Sequence, residues 1–192
     1  MRMASKLTVL PATSERWPDV EAIFGAKGCS VARGCWCMHY RRSGTSSSVA
    51  RRAKTYRAGL KSLVETGKPP GLVAYRDGVP VGWVSLAPRE EFARLKRSPV
   101  MKPVDDKPVW SIICFVVPAE HRGQGVARAL LQGAIAYARE HGATVVEAYP
   151  VDRGSPSYRF MGFVDAFADA GFQEVGAAGL RRHVMRLCVA DR

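Results

Sequence analysis

The stretch that decides the fold reads IICFVVP at residues 112–118 and RGQGVA at residues 122–127. The first part is an apolar run rich in β-branched and aromatic side chains, which is typical of a strand buried on both faces. A buried helix is the alternative, but Pro118 would leave that helix too short. Apolar residues at helical spacing follow the second part. The stretch therefore predicts a central strand, a glycine-containing turn and a helix.

The turn has the features of an anion-binding loop. Gly123 and Gly125 allow backbone N–H groups to point outward, in conformations that a Cβ would hinder. These groups lie at the start of a helix, where unpaired donors and the positive end of the helix dipole favour a negative charge. The sequence lacks the G-x-x-x-x-G-K-[ST] loop of nucleoside triphosphatases, and it lacks the dinucleotide fingerprint G-x-G-x-x-G followed by an acidic residue. A phosphate-binding turn of another kind is predicted.

This loop resembles the acetyl-CoA loop of the GNAT superfamily of N-acetyltransferases, whose pattern is [Arg/Gln]-x-x-Gly-x-[Gly/Ala]. Arg122, Gly125 and Ala127 occupy its three specified positions. Other features of the chain agree with the order of elements in that family. They are the Asp77-Gly78 hairpin signal, the His141-Gly142 helix end, the late Gly171-Phe172 and the final strand 184–187.

The fold class that follows is α/β, in a single GNAT-like domain over residues 1–192. We expect a central mixed, mostly antiparallel sheet with one parallel strand pair that splays apart, and helices flanking the sheet. Strands are predicted at 7–10, 72–75, 81–86, 112–117, 144–148, 173–175 and 183–189. Helices are predicted after residue 13, from residue 49, at 90–97, from 126 to 141, and from Ser155 or Ser157 to Ala170. Residues 43–48 are predicted to be a polar linker.

Composition restricts the class of protein. No apolar stretch approaches the roughly 18–20 residues that span a membrane, and the N-terminus has no apolar segment typical of a secretory signal. The chain has five cysteines, an odd and scattered set that does not suggest a disulfide framework. A cytoplasmic location and no membrane contact are therefore expected.

The formal net charge of +12 leaves three interpretations open. It can reflect a solvated basic surface, attraction of an anionic ligand such as CoA, or a nucleic-acid partner. The same alternatives apply to the basic face of the helix that begins at residue 49.

The resemblance implies a set of acetyl-CoA contacts. The pantetheine arm would lie in the opening of the parallel strand pair and bind backbone groups of Phe115, Val116 and Val117. The diphosphate would bind the backbone N–H groups of the loop, which consists of Arg122, Gly123, Gln124, Gly125, Val126 and Ala127. The implied reaction is direct attack of an amine on the thioester in a ternary complex.

The chain departs from the family pattern at two positions that carry chemistry. Many members have a glutamate base on the central strand, where this chain has Ser111 as the nearest polar residue. Many also have a tyrosine acid four residues before the late Gly-Phe, and this position is Phe167 here. We predict Glu90 as the base, with Glu91 and His39 as further candidates, and Tyr158 as the acid.

The segment from Cys29 to Tyr40 is predicted to line the substrate channel through Trp36 and Met38, and Glu91 is predicted to join them. Cys29, Cys35, Cys37 and His39 suggest a zinc site, but their spacing does not fit structural zinc knuckles. No metal is therefore predicted. Cys114 on the central strand is interpreted as a small buried residue rather than a nucleophile.

The leading hypothesis is an acetyl-CoA-dependent N-acetyltransferase that acts on a small amine or a peptide amine. A non-catalytic CoA-binding or sensing module of the same fold is the first alternative, because the usual base and acid are missing. A basic nucleic-acid-associated protein is the second. The identity of the acceptor and the oligomeric state, including a homodimer, stay open.

Overall fold

The computed structural model describes residues 6–42 and 48–190, with only the backbone for residues 49 and 50. Most of the predicted linker, residues 43–47, therefore lies outside the described residues. Within them, the strands are β1 (Leu7–Pro11), β2 (Gly71–Arg76), β3 (Val79–Pro88), β4 (Trp110–Val116), β5 (Val145–Ala148), β6 (Gln173–Ala177) and β7 (His183–Cys188). The helices are α1 (Trp17–Gly25), α2 (Ser30–Cys35), α3 (Val49–Glu65), α4 (Ala93–Arg97), α5 (Val126–Glu140) and α6 (Val164–Asp169).

The strands form one mixed sheet in the order β1-β2-β3-β4-β5-β7-β6. Neighbouring strands run antiparallel except β4 and β5, which are parallel and are connected through α5. The β2–β3 turn uses Asp77 and Gly78, both with positive φ, as the Asp-Gly signal predicted. The predicted α/β fold with a mostly antiparallel sheet and one parallel pair is confirmed.

The parallel pair splays apart after a short ladder. β4 and β5 pair only from Trp110↔Val146 to Ile112↔Ala148. Beyond this ladder Val151 pairs with Phe163 instead of with β4. A register shift between β3 and β4 also leaves Ile113 as an extra residue on β4, and such a bulge bends its strand. The C-terminal half of β4, after Ile112, therefore has an edge that β5 does not cover.

Helices cover both faces of the sheet. The apolar stripe of α5, including Leu130 and Ala134, packs on the face that carries Ile112. Gly82 of β3 permits this close approach, because a Cβ there would lie 2.6 Å from Cγ1 of Val126 at the start of α5. The packing therefore fixes the first turn of α5, and the loop before it, against the sheet.

A buried polar network joins β4 and β5 at the base of the opening. Ser111, Glu147 and Arg186 are neighbours in register across β4, β5 and β7. Arg186 Nε donates to Glu147 Oε2 at 2.7 Å, and Arg89 Nη1 donates to Tyr149 Oη at 2.7 Å. The Tyr149 hydroxyl in turn donates to Glu147. Because a buried carboxylate is costly without partners, these contacts hold both strands at the point from which they diverge.

The predicted helix from Ser155 or Ser157 to Ala170 is wrong in its first half. The chain forms an irregular segment with a short 3-10 turn at Arg159–Met161, and α6 begins only at Val164. Tyr158 and Gly162 have φ values of 62° and 90°, which a right-handed helix cannot contain. The segment instead follows the open edge of the β4–β5 pair.

The His183 side chain links β7 to two acidic groups and makes stability depend on pH. Burial lowers its pKa, but the contacts of Nδ1 with Glu174 at 2.8 Å and of Nε2 with Asp152 at 3.4 Å prevail, so the pKa is raised. A raised folded-state pKa stabilises the fold below the unfolded value of about 6.5, and this contribution is lost as pH rises through the folded value. We expect His183→Gln to lower the free energy of unfolding more at pH 5.5 than at pH 8.5. Equal losses in urea titrations at the two pH values would contradict this linkage.

None of the helices in the described part of the chain combines the length and apolarity needed to cross a membrane.

Candidate functional site

A cavity of about 830 Å³ opens where β4 and β5 diverge. One wall is formed by residues 113–117, from β4 and the residue after it, a second comes from residues between Gly28 and Tyr40, and a third from residues between Pro156 and Phe167. The volume lies within the range of roughly 300–1,000 Å³ found for small-molecule sites. The lining is mostly apolar, and none of its described residues is Asp or Glu. The cavity is therefore mostly apolar, and the charged side chains among its described lining residues are the arginines Arg122 and Arg159.

One end of the cavity is the glycine loop before α5. Gly123 and Gly125 adopt φ values of 71° and 80°, and an ideal Cβ on either residue would meet no atom within 4 Å. The first backbone bond of α5 is donated by Ala129 to Gly125 O at 3.0 Å, so the amides that precede it have the unpaired donors of a helix start. Unpaired helix-start amides, open space and the helix dipole are features that favour an anion at this position.

Side chains tie this loop to its surroundings. Arg122 Nε donates to Val117 O and Arg122 Nη2 donates to Gly28 O, each at 2.9 Å. The Gln124 amide donates to Glu120 O at 2.6 Å and accepts from Arg76. Arg122 thus joins the end of β4 to the second cavity wall while its guanidinium borders the cavity.

The other end of the cavity is formed by segments that are far apart in sequence. His39 and Tyr40 line it after α2, and Tyr158 lines it from the opposite wall. Arg182, in the β6–β7 turn, places its guanidinium carbon 4.3 Å from the centroid of the Tyr158 ring and donates from Nη1 to Tyr40 Oη at 3.5 Å. This end of the cavity is therefore lined by the aromatic residues Tyr40 and Tyr158, and the Arg182 guanidinium packs against both.

His39 is a titratable group at this end whose pKa is shifted by its surroundings. Burial lowers its pKa, and the positive charges of Arg94 and Arg52 lower it further. Arg94 is held close because its Nε donates to His39 O at 2.8 Å. The imidazole is therefore neutral at neutral pH and able to accept a proton.

Three thiols border the same region, namely Cys35, Cys37 and Cys114. A hydrogen bond with Cys37 and burial raise the pKa of Cys35, and burial together with a hydrogen bond to Cys114 raises the pKa of Cys37. Both thiols therefore stay protonated at neutral pH, which makes them poor nucleophiles. Among the described residues, no group of three or more His, Cys, Asp or Glu side chains could hold a metal ion.

The predicted acetyl-CoA residues meet at the cavity. Phe115, Val116, Val117, Arg122 and Ala127 line it, and residues 123–126 form the loop between the last two. The predicted acid Tyr158 also lines the cavity, and its side chain is exposed. The roles assigned to these residues stay predictions.

The predicted substrate residues Trp36 and Met38 lie in the core instead of in the cavity wall. Trp36 stacks on Phe24 with ring centroids 4.7 Å apart, and both predicted residues are buried. The residues that alternate with them, Cys35, Cys37 and His39, line the cavity. A bulky apolar side chain gains more from burial in the core than from a channel wall, so its smaller and polar neighbours face the opening.

Glu90 and Glu91 are not brought to the large cavity. Glu90 lines a separate cavity of about 350 Å³, which shares no lining residue with the large one. Glu91 accepts from Arg41 Nη1 at 3.2 Å, and Arg41 also donates to Pro70 O and Leu86 O. Glu91 therefore pairs with Arg41, which is itself bonded to the backbone of Pro70 and Leu86. Of the three base candidates, His39 is the one that lines the large cavity.

A substitution at Glu91 distinguishes a structural contact from a substrate contact. We expect Glu91→Gln to lower the free energy of unfolding by about 1–2 kcal/mol, because Arg41 is only 4% exposed and loses its carboxylate partner, while solvent at the 48% exposed Glu91 side chain screens part of the interaction. Steady-state acetylation kinetics should show an unchanged KM for the amine. Glu65→Gln, which removes an exposed pair with Lys61, is the matched control, and a raised amine KM for Glu91→Gln alone would assign Glu91 to the substrate.

Tyr40 and Arg182 were not predicted from the sequence as site residues. Neither lies in a recognisable motif, and 142 positions separate them along the chain. The alternation of residues around Trp36 would not have found them, because Tyr40 shares the parity of the core residues Trp36 and Met38.

The fold and the cavity define an α/β protein with a splayed parallel strand pair and a glycine loop at its opening. The model of the Acetyltransferase (GNAT) family matches residues 37–163, and the chain belongs to this family. The predicted family membership is thereby confirmed.

Individual relatives are distant. N-acetyltransferase 8B of Rattus norvegicus is 28% identical over 94 residues, which are 49% of this chain and 40% of that protein. A structure described as histone acetyltransferase HPA2 and related acetyltransferase, from Corynebacterium glutamicum, has a TM-score of 0.58 at 20% identity and matches over 98% of this chain and 99% of its own. The paia N-acetyltransferase of Thermoplasma acidophilum, solved in complex with coenzyme A, has a TM-score of 0.53 at 13% identity over 95% and 99% of the two chains.

Proposed function

We propose that this protein transfers an acetyl group from acetyl-CoA to a primary amine by direct attack in a ternary complex. The observation that carries the proposal is the continuity of one cavity, which runs from the glycine loop along the uncovered edge of β4 to His39 and Tyr158. Membership of the GNAT acetyltransferase family and the coenzyme A complex of the Thermoplasma acidophilum structure support the same ligand.

The loop and the strand would hold the coenzyme. The amides at residues 123–127 would donate to the diphosphate, with the dipole of the 15-residue helix α5 adding to the attraction. Charge-assisted hydrogen bonds of this kind contribute about 1.5–3 kcal/mol each. Backbone groups at Phe115–Val117 would bind the pantetheine amides as a missing strand would.

Acetyl-CoA would supply the activated acetyl group, and the residues at the far end would manage protons. An alkylamine with a pKa of about 10.4 is mostly protonated at pH 7, and the neutral form costs about 4.6 kcal/mol. His39 is neutral there and would accept that proton. The CoA thiolate needs less help to leave than the amine needs to lose its proton, because thiol pKa values lie near about 8.5. Tyr158 would donate the proton that the thiolate takes up.

Tyr158 replaces the family tyrosine only in function. Phe167, at the family position, is buried and packs edge-to-face on Phe172 with ring centroids 5.0 Å apart. Tyr158 reaches the cavity from the irregular segment before α6, with its backbone in the left-handed region at φ 62°. A non-glycine residue in that region is strained, and strained residues of this kind cluster at functional sites. The strain at Tyr158 therefore supports a functional role for its side chain.

The proposal is tested by following thiol release from acetyl-CoA over a panel of amines, with calorimetry of coenzyme binding in parallel. Binding with amine-dependent thiol release is the expected result. Binding without release for any amine would favour the CoA-sensing module, and the absence of binding would overturn both functions.

A further inference from the structure

The wall that faces the attacking amine carries positive charge without negative charge. One arginine lines it and two more contact its lining residues Ser157, Tyr158 and Tyr40, and none of the three forms a salt bridge among the described residues. They are Arg159, which lines the cavity, and Arg181 and Arg182 of the β6–β7 turn. None of the described lining residues is a carboxylate. An acceptor with several positive charges, such as a polyamine, would be repelled from this end.

Arg182 is the arginine that the structure holds most firmly at this end. Its guanidinium lies on the Tyr158 ring at 4.3 Å, Nε donates to Ala178 O at 3.3 Å, and Nη1 donates to Tyr40 Oη at 3.5 Å. Within the described residues Nη2 has no hydrogen-bond acceptor. A stacked guanidinium has lost much of its rotational freedom, so less entropy is lost when it binds a ligand. Arg182 is therefore an oriented donor that retains a free N–H edge.

The second arginine of the turn approaches the same wall. Arg181 Nη1 donates to Ser157 Oγ at 3.3 Å, and Ser157 lines the cavity beside Tyr158. The β6–β7 turn thus brings two positive charges to the wall opposite His39. Arginine forks match the geometry of carboxylates and phosphates, which can each accept two parallel hydrogen bonds.

We infer that the acceptor is a small amine that carries a carboxylate, such as a free amino acid, and that Arg182 binds this carboxylate while the amine faces His39. The inference rests on the proposed acetyl transfer and adds the substrate class. The apolar remainder of the lining, which includes Ile113 and Phe160, would accept the body of the molecule.

Matched amine pairs test the inference with the full-length protein. The pairs are phenylalanine with phenylethylamine, alanine with ethylamine, and phenylalanine with its amide, and spermidine serves as the polycation. We expect kcat/KM for at least one amino acid to exceed that of its partner without the carboxylate by about 10- to 100-fold, the effect of one or two charge-assisted bonds. Spermidine should be a poor acceptor. Equal values within every pair, or a preference for spermidine, would overturn the inference and leave acetyl transfer standing.

Variants of Arg182 test whether this residue binds the carboxylate of the acceptor. Arg182→Gln should reduce the preference within the pairs about 10-fold or more, through KM for the amino acid, and leave KM for acetyl-CoA unchanged. Arg182→Lys should retain part of the preference because it keeps the charge. Arg139→Gln removes a positive charge in the last turn of α5 and should have no effect. A rise in the acetyl-CoA KM of Arg182→Gln with an unaltered amine preference would assign the arginine to the coenzyme and contradict the inference.

No acetylation of any amine, with or without a carboxylate, would overturn the inference together with the proposed reaction. Calorimetry of acetyl-CoA binding then shows whether the proposed chemistry or the assignment of the cavity to the coenzyme has failed. Retained coenzyme binding in that experiment would place the failure in the chemistry, and lost binding would place it in the cavity assignment.

Discussion

Replacing Gly125 with valine is expected to weaken acetyl-CoA binding by about 100-fold or more, which is the loss of two charge-assisted hydrogen bonds. Gly125 adopts φ 80° and ψ 0° as the residue that caps α5. The left-handed region is costly for a β-branched residue, so the loop amides would turn away from the diphosphate. The added side chain would also occupy the open space in front of the loop.

The control for this variant is Gly142→Val at the opposite end of the same helix. Gly142 has φ 81° and open space around its Cβ position, as Gly125 has, so both substitutions cause similar backbone strain of about 1–2 kcal/mol. Calorimetry should show normal acetyl-CoA affinity for Gly142→Val and a loss for Gly125→Val at similar melting temperatures. Equal affinities in the two variants would contradict the loop assignment.

Replacing His39 with glutamine is expected to lower kcat/KM for the amine by about 10²- to 10³-fold at pH 7, the usual contribution of a general base. Glutamine keeps the size and polarity of the side chain but cannot accept the proton of an ammonium group. Binding of acetyl-CoA should be unchanged, because the loop proposed to bind the diphosphate lies at the other end of the cavity. His141→Gln, at an exposed histidine that stacks on Tyr137, is the matched control.

The pH profile gives this prediction a second readout. Burial and the nearby Arg94 and Arg52 lower the pKa of His39, so the imidazole becomes neutral, and active as a base, at a pH below its ordinary value of about 6.5. We expect kcat/KM of the native enzyme to rise with pH through an acid limb below that value, and His39→Gln to lack this limb. An identical limb in both proteins would exclude His39 as the base.

The central element of the fold was predictable because its signals are local. The apolar run before Pro118 sets the strand, and Gly123 and Gly125 supply the positive φ values that the loop needs. The Asp77-Gly78 turn fixes the β2–β3 hairpin in the same way. Each of these features depends on backbone conformational preferences within a few residues, and these preferences follow directly from the amino-acid types.

The helix predicted from Ser155 or Ser157 shows where local reasoning failed. Serine caps and apolar spacing favour a helix there, but Val151 pairs with Phe163 and Gly162 takes φ 90°. The bridge bonds Gly162 and Val164 to Val151, so the chain is held extended at Phe163 and a continuous helix through it cannot form. The local signal was real, and a long-range contact overrode it.

The sequence by itself determined the strand, the glycine loop and the helix, and through them the family and the end of the cavity at which we propose that the coenzyme binds. Only the tertiary structure decided the acceptor end, where His39, Tyr158 and Arg182 meet from segments more than 20 and up to 143 positions apart along the chain. It also moved Trp36 into the core and Glu90 to a separate cavity. The physical reason is that a backbone conformation depends on neighbouring residues, whereas a binding surface depends on which distant side chains the packed sheet brings together.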